Sequence, residues 1–358
     1  MRIEQLRLRH FRCITQAEIA PGPFINWLIG PNGAGKTTLL ESIYLLSHGH
    51  SFRSGSIETL IQRGRTAFSL HAEMVGNAGR QTLDMSRSPT GWRLRLNDVD
   101  QHQLTPILER VAALCFEPGG HALITGASEV RRRFLDWGVF HVKHEFLDWW
   151  RRYRRALRQR NALLRGRGDG EHFTVWEAEL ESASVPLEKV RQTYATMLEA
   201  HLKPIAESLL SELGSIQLVY HGGWNPDKSL GEILAEQRDK DRELGYTRMG
   251  PHRADWRISF EKLPSREYLS RGQTKLAALA CVLAQARTFF DSLGEWPILC
   301  LDDLVSELDT SHLARVLGYI SATSSQVWIS SSQAWGGADV PGEAAMFHVE
   351  QASICRSE

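Results

Sequence analysis

Apolar residues recur along this chain with several rhythms, and each rhythm predicts a different kind of element. Ile3, Leu6 and Leu8 alternate loosely and predict an opening strand. A solid apolar run, Phe24, Ile25, Trp27, Leu28 and Ile29, predicts a buried strand expected to pair with the opening one, and a helical pattern follows through Leu46. Strict alternation appears at Phe68-Leu70-Ala72-Met74, Leu83-Met85 and Trp92-Leu94-Leu96. Turn-forming GNAG, SPTG and ND separate or close these stretches, which predicts an antiparallel meander. From Glu129 the period lengthens: Phe146, Trp149, Trp150, Tyr153, Leu157 and Leu164 form the stripe of an amphipathic helix. A second helical stretch is expected from about Val175 to Leu213, broken or restarted at Pro186 and Pro204. Neither stretch reads as heptads long enough for a coiled-coil arm. Around Tyr246 the chain is expected to return to its first domain. A strand at Trp256, Ile258 and Phe260, a long Ala/Leu helix from Thr274 to Phe290, the strand Ile298–Leu301, another helix and the strand Val327-Trp328-Ile329 complete it. The predicted class is α/β. A discontinuous domain over 1–125 and 246–358, with a mixed sheet and an antiparallel β-subdomain, is interrupted by a mainly helical, arginine-rich lobe at 126–245.

The chemistry concentrates where the first buried strand ends. Gly30 to Thr37 spell G-x-x-x-x-G-K-T between a strand and a helix, the setting of a P-loop. Its glycines allow a tight turn close to phosphate oxygens. The loop's N–H groups and the positive end of the following helix cradle the anion. The candidate ATP-binding residues are Gly30, Pro31, Asn32, Gly33, Ala34, Gly35, Lys36, Thr37 and Thr38. Lys36 is expected to reach the β- and γ-phosphates, and the Thr37 hydroxyl to take a place on Mg²⁺. The strand Ile298–Leu301 ends in two acids, a Walker B pattern. Asp302 is the second candidate Mg²⁺ residue, and Asp303, with Lys36, the catalytic candidate that orients or deprotonates the attacking water.

Ser306 and Asp309 follow at the spacing of an ABC-type D-loop, and Leu269-Ser270-Arg271-Gly272-Gln273 matches the ABC signature L-S-x-G-Q. Ser270 and Gln273 predict a capping box at the start of the Ala/Leu helix. That leaves a polar helix end to hold a phosphate, which in ABC ATPases belongs to a nucleotide on another subunit. After Val327-Trp328-Ile329 the switch position carries Ser330 to Ser332 and no histidine. With Asp303 in place of the commoner glutamate, slow turnover suited to a timed switch is expected.

Composition narrows the classes. The 358 residues carry 42 Lys plus Arg and 42 Asp plus Glu, so total charge names no partner. Distribution does: residues 131–167 hold twelve Lys or Arg against Asp136, Glu145 and Asp148. Arg151, Arg154, Arg155 and Arg158 are the candidate contacts to DNA phosphates, the alternative being a solvated face or ion pairs with acids near Glu177 to Glu181. Nothing resembles a module that reads base sequence. Scattered Cys13, Cys115, Cys281, Cys300 and Cys355 point to reduced thiols, not a disulfide or zinc framework. His48 and His50 are expected in a plain loop, and His141 and His144 on a helix surface. The charged N-terminus lacks a signal-peptide core, and no apolar run is expected to reach the roughly 18 residues of a membrane span, so a cytoplasmic protein without membrane contact is expected.

Over nearly its whole length the chain resembles the RecF family of SMC-like ABC-type ATPases. LRLRHFRCI resembles the family's opening strand, Ser51-Phe52-Arg53 its segment after the P-loop helix, and Arg131-Arg132-Arg133-Phe134-Leu135-Asp136 its R-R-x-F-L-D block. The most specific match is Thr247-Arg248-Met249-Gly250-Pro251-His252-Arg253-Ala254-Asp255, similar to T-x-x-G-P-H-R-x-D. Phe116-Glu117-Pro118-Gly119-Gly120 departs from the family's F-S-P-E-D, which leaves a Q-loop-like role for Glu117 open. The resemblance implies an ABC-type ATPase head with an inserted helical lobe. It also implies an ATP- and Mg²⁺-dependent homodimer that clamps double-stranded DNA at gaps and single-strand/double-strand junctions, with weak DNA-stimulated ATPase activity. The implied partners are RecR with RecO, and RecA indirectly, in recombinational repair and replication restart after DNA damage. The rival readings are the nucleotide-binding subunit of a transporter, disfavoured by the basic insertion and the GPHR run, and an ATP-binding scaffold without hydrolysis.

Overall fold

The computed structural model describes residues 1–53, 55–166, 170–332 and 344–357. Its strands are β1 (Arg2–Phe11), β2 (Ile14–Ile19), β3 (Ile25–Ile29), β4 (Phe68–Gly76), β5 (Gly79–Ser88), β6 (Gly91–Leu96) and β7 (Val99–Gln101), then β8 (Ala113–Phe116), β9 (Ile216–His221), β10 (Asp255–Phe260), β11 (Ile298–Leu301), β12 (Val327–Ser331), β13 (Ala344–Glu350) and β14 (Ser353–Arg356). Its helices are α1 (Lys36–His48), α2 (Thr105–Leu108), α3 (Ala122–Thr125), α4 (Ser128–Val142), α5 (Phe146–Arg165) and α6 (Gly170–Leu209), then α7 (Leu230–Glu236), α8 (Arg238–Leu244), α9 (Arg271–Leu293), α10 (Leu304–Glu307) and α11 (Thr310–Ser321). The chain divides into one unit of residues 1–120 and 278–358 and a second of 121–277. The division falls after 120 and 277, so the expected return near Tyr246 does not occur: β10 pairs with β9 inside the second unit.

In the first unit an antiparallel sheet runs β2-β1-β4-β5-β6-β7; β4 to β6 are the meander that the alternation predicts, and β7 extends it by a short strand. The other sheet runs β14-β13-β3-β12-β11-β8, parallel except for β14. β1 pairs with β2 and β4, not with β3 as expected; β3, buried at all five positions, is central between β13 and β12. The register sets Leu301 beside Ile329 and Ser331 beside Ile29, so β3 and β12 end level and β11 two residues earlier, at one edge of the sheet. In open parallel sheets that carboxyl edge is where ligands bind. One core of Leu6, Leu8, Phe11, Leu39, Ile43, Phe68 and Leu83 fills the unit's interior.

In the second unit α5 packs on α6, a single 40-residue helix that keeps Pro186 and Pro204 inside it, where two breaks were expected. Its buried positions Phe173, Glu177, Leu180, Ser184, Leu187, Arg191, Tyr194 and Leu198 follow a three–four spacing. So do Phe146, Tyr153, Leu157, Arg160 and Leu164 on α5. That is heptad packing, which an apolar reading misses because Glu177, Ser184, Arg191 and Arg160 occupy seam positions. α9 is long and apolar enough to cross a bilayer, contrary to the expectation, but 72% of its apolar window is buried in the protein, as in a core helix.

Candidate nucleotide site and basic helical unit

The P-loop joins the carboxyl end of β3 to α1, and Gly30 sits against Val349 near the end of strand β13. A Cβ there would stand 1.9 Å from the Val349 carbonyl oxygen, so neighbouring backbone alone demands glycine. Lys36 folds back along the loop, and its Nζ donates to Gly30 O at 2.6 Å and Pro31 O at 3.0 Å. Burial lowers the Lys36 pKa, opposed by Asp303 and Asp302.

Thr37 Oγ1 lies 3.0 and 2.9 Å from the two carboxylate oxygens of Asp302, so both expected Mg²⁺ residues converge on one point. Hard oxygen donors at a phosphate-binding loop fit Mg²⁺. Asp302 is 4% exposed, and burial raises its pKa against hydrogen bonds from Ser330 and Thr37. Ser330 Oγ donates to Asp302 Oδ1 at 2.6 Å and accepts from Asp303 N–H at 2.8 Å. Asp303 holds a left-handed backbone, φ 53° and ψ 32°, sparsely populated by residues with a Cβ. Ser306 Oγ donates to Asp303 Oδ1 at 2.9 Å, tying the D-loop serine to the catalytic candidate. Asp309 caps α11 by accepting from Ser311 N–H and His312 N–H. The His312 backbone bond, then its ring, draws the Asp309 carboxyl well below the usual range.

An open cavity of about 610 Å³ joins Lys36, Thr37, Asp302, Asp303 and Ser330 to a wall that includes Arg12, Thr59, Ile61 and Arg63. Single-sequence reasoning missed this wall. Its one signal is Glu41, an acid on the buried face of α1: Arg12 grips it through Nε at 2.7 Å and Nη2 at 2.6 Å, and Ser51 donates to it. Ser330 was missed too, because a serine in a polar run after a strand carries no pattern. Glu117 accepts from Gly119 N–H at 2.6 Å and so closes its own turn. His48 belongs to α1, not a loop, and its ring stacks on Tyr44 with centroids 3.6 Å apart.

In the second unit the capping box is present: Gln273 N–H donates to Ser270 Oγ at 3.2 Å and Ser270 N–H to Gln273 Oε1 at 3.0 Å. Ser270, Arg271 and Gly272 stand exposed at the start of α9. The basic stretch separates by burial. Arg131 is 3% exposed on Asp255, at 2.7 Å, and fully buried Arg160 joins Glu177 at 3.0 Å, Asp241 at 2.8 Å and Thr247 at 2.8 Å. Arg152 pairs with Glu179 at 3.0 Å, and Arg151 lies 3.7 Å from Asp148. Arg155 and Arg158 are exposed with no carboxylate partner among the described residues, and Arg154 lies over the Trp150 ring; Arg167 falls outside the described residues. His141 is buried, not on the surface, and burial lowers its pKa to about 3.

The two blocks that carry the resemblance interlock. Arg131 holds Asp255, Arg132 donates to Ala254 O at 2.6 Å, and Arg191 bridges Asp136 and Pro251 O at 2.8 and 2.7 Å. A Cβ at Gly250, whose φ is 127°, would stand 2.4 Å from the Tyr153 hydroxyl.

A family model described as RecF/RecN/SMC N terminal domain matches residues 2–351. The DNA replication and repair protein RecF of Stenotrophomonas maltophilia is 41% identical over 360 residues, 99% of each chain. The protein of that name from Xanthomonas euvesicatoria pv. vesicatoria is 42% identical over 363 residues, again 99% of each, and that of Yersinia pseudotuberculosis 34% over 356, covering 99% of this chain and 98% of its own. Among solved structures, the recombination mediator protein RecF-ATP in the RecFOR pathway superposes with a TM-score of 0.90 at 23% identity over 99% of this chain and 97% of its own. The Smc head domain from Pyrococcus furiosus, bound to the C-terminal domain of ScpA, gives 0.58 at 16%, over 99% and 95%. These two likenesses establish an SMC-like ABC ATPase fold. By its match to the family model and to full-length relatives, the chain belongs to the RecF/RecN/SMC N-terminal domain family, within its RecF group.

Proposed function

We propose that the chain is an ATP-switched DNA-binding protein of recombinational repair and replication restart. The observation that carries the reading is the convergence of Lys36, Thr37, Asp302 and Asp303 on one cavity at the carboxyl edge of a parallel sheet. Lys36 leaves the Gly30 and Pro31 carbonyls to meet the β- and γ-phosphates of ATP. Thr37 and Asp302 hold Mg²⁺, which supplies charge neutralisation at those phosphates. Asp303 orients the attacking water, and the phosphate is also bound by the Ser270 helix end of a second subunit. ATP therefore closes a head-to-tail homodimer over double-stranded DNA at a gap or junction, and slow hydrolysis reopens it. The exposed arginines of α5 meet the DNA backbone. The relatives' role in DNA replication and repair, and the RecFOR pathway of the structural neighbour, support a reading in which RecR with RecO are the partners and RecA the downstream recipient.

The test is the mass of the protein by light scattering, alone, with ATP and Mg²⁺, with gapped duplex, and with all of them. A doubled mass that needs ATP, and a DNA complex strengthened by it, are expected. Lys36→Met should lose both, because it removes the charge that meets the phosphates. A mass indifferent to ATP overturns the switch.

A further inference from the structure

Parallel pairing of β13 with β3 sets His348 beside Ile29, so β13 runs on past the point where β3 gives way to the P-loop. It then reverses. Glu350 pairs with Ser353 of β14, which leaves Gln351 and Ala352 as the two-residue turn of the hairpin. Their φ angles are 47° and 63°. A two-residue turn between right-twisted strands needs positive φ at both places, and Asn-Gly is its usual solution. This chain places a glutamine and an alanine there, residues whose Cβ makes the left-handed region strained.

The turn lies against the P-loop. Ala352 N–H donates to Ala34 O at 2.8 Å, and Ala34 N–H donates to Pro31 O at 3.2 Å. Both backbone groups of Ala34 are therefore committed, one inside the loop and one to the hairpin. A Cβ at Gly35 would stand 3.5 Å from Ala352 Cα and 3.4 Å from Cys13 Sγ, so the loop is closely backed at that point.

The consequence is geometric. A trans peptide is planar, and its C=O and N–H point in opposite directions. The bond that draws Ala34 O towards the hairpin aims the Gly35 N–H away from it. Gly35 lines the nucleotide cavity and caps α1, whose first N–H groups have no partner within the helix. Loop N–H groups of this kind cradle the α- and β-phosphates. Gly35, at φ 116°, has no Cβ to fix that peptide by itself. We propose that Ala352 is a positioning residue of the nucleotide site: its backbone N–H clamps the Ala34–Gly35 peptide so that the Gly35 N–H faces the β-phosphate. The strained turn is what brings that donor to the loop. This rests on the P-loop reading and adds the β13–β14 hairpin to the site.

The experiment replaces Ala352 in the full chain by L-lactate, which exchanges the N–H for an ester oxygen and keeps the methyl group. Wild type and Ala352→Gly are the comparisons. ATP affinity is read by calorimetry with Mg²⁺, and the bound β-phosphate by its phosphorus-31 resonance. The ester should bind ATP about tenfold more weakly, the scale of one hydrogen bond to a charged group, and displace the β resonance of the bound nucleotide. Ala352→Gly keeps the donor and should match wild type in both. An ester that matches wild type in both overturns the clamp. So does weaker binding with an unmoved β resonance, which marks a general loosening of the unit. An Ala352→Gly that loses as much as the ester also overturns it, because the methyl group and not the N–H then matters. Wild type that binds no ATP overturns the nucleotide reading itself, and the clamp with it.

Discussion

Ser330 opens the Ser330 to Ser332 run expected at the switch position, and its hydroxyl joins the two acids of the site. It gives its proton to Asp302 and takes the N–H of Asp303, so one oxygen couples the metal residue to the backbone of the catalytic candidate. A hydrogen bond to a charged group contributes about 1.5–3 kcal/mol. Ser330→Ala is therefore expected to weaken Mg²⁺-dependent ATP binding at least several-fold and to let Asp303 relax out of its left-handed conformation. Ser330→Thr keeps the hydroxyl and should retain wild-type binding. ATP titrations over a range of Mg²⁺ concentrations decide it: an Ala variant that follows the wild-type curve removes Ser330 from the site. The glycine loop, its lysine and the paired acids were legible in the sequence because phosphate chemistry dictates residue type at fixed spacing. Ser330 was not, because its role comes from strand register: β12 lies beside β11 and sets position 330 level with Asp302.

At the scale of elements, the helical unit is held by charges inside a heptad seam. Arg160 is fully buried and answers Glu177, Asp241, Thr247 and the Leu234 carbonyl at once. Removing one partner of a buried pair costs about 3–5 kcal/mol, because the other charges stay uncompensated. Arg160→Ala should lower the urea midpoint of unfolding accordingly, while exposed Arg158→Ala should change stability by less than about 0.5 kcal/mol. Equal midpoints for the two variants would mean that the network is not holding the unit. This partition is what the basic stretch left open: linear charge counts cannot separate an arginine that faces water from one that crosses a seam. Pro186 and Pro204 misled for a related reason, since tertiary packing carries α6 through two local breaks.

The same unit should report on pH through His252, whose ring lies between the Tyr153 hydroxyl and the Thr247 carbonyl with Arg253, Arg132 and Arg154 nearby. Burial lowers its pKa to about 4 from an ordinary 6.5, partly offset by the bond to Thr247. The unfolded chain therefore binds a proton that the folded chain refuses, and stability is lost as pH falls from 6.5 towards 4. His252→Gln should flatten that part of the profile in thermal unfolding at a series of pH values. A profile as steep as wild type would assign the loss to other groups, with buried His141 the next to substitute.

At the scale of the whole molecule, the proposed clamp holds each nucleotide between the P-loop of one subunit and the Ser270 helix end of another. Ser270 is exposed at the start of α9 and its hydroxyl accepts from Gln273 N–H, so the helix end is capped and preorganised. Ser270→Arg places a long side chain where the facing γ-phosphate must sit. It is expected to bind ATP in its own P-loop with wild-type affinity yet remain monomeric with ATP and Mg²⁺ present. Asp303→Asn should do the opposite: it keeps Lys36, Thr37 and Asp302, loses the group that orients water, and so accumulates the closed dimer. Light scattering of the two variants with ATP separates the steps of the cycle. If Ser270→Arg dimerises as wild type does, the helix end does not face a nucleotide, and the capping box is only the start of a core helix.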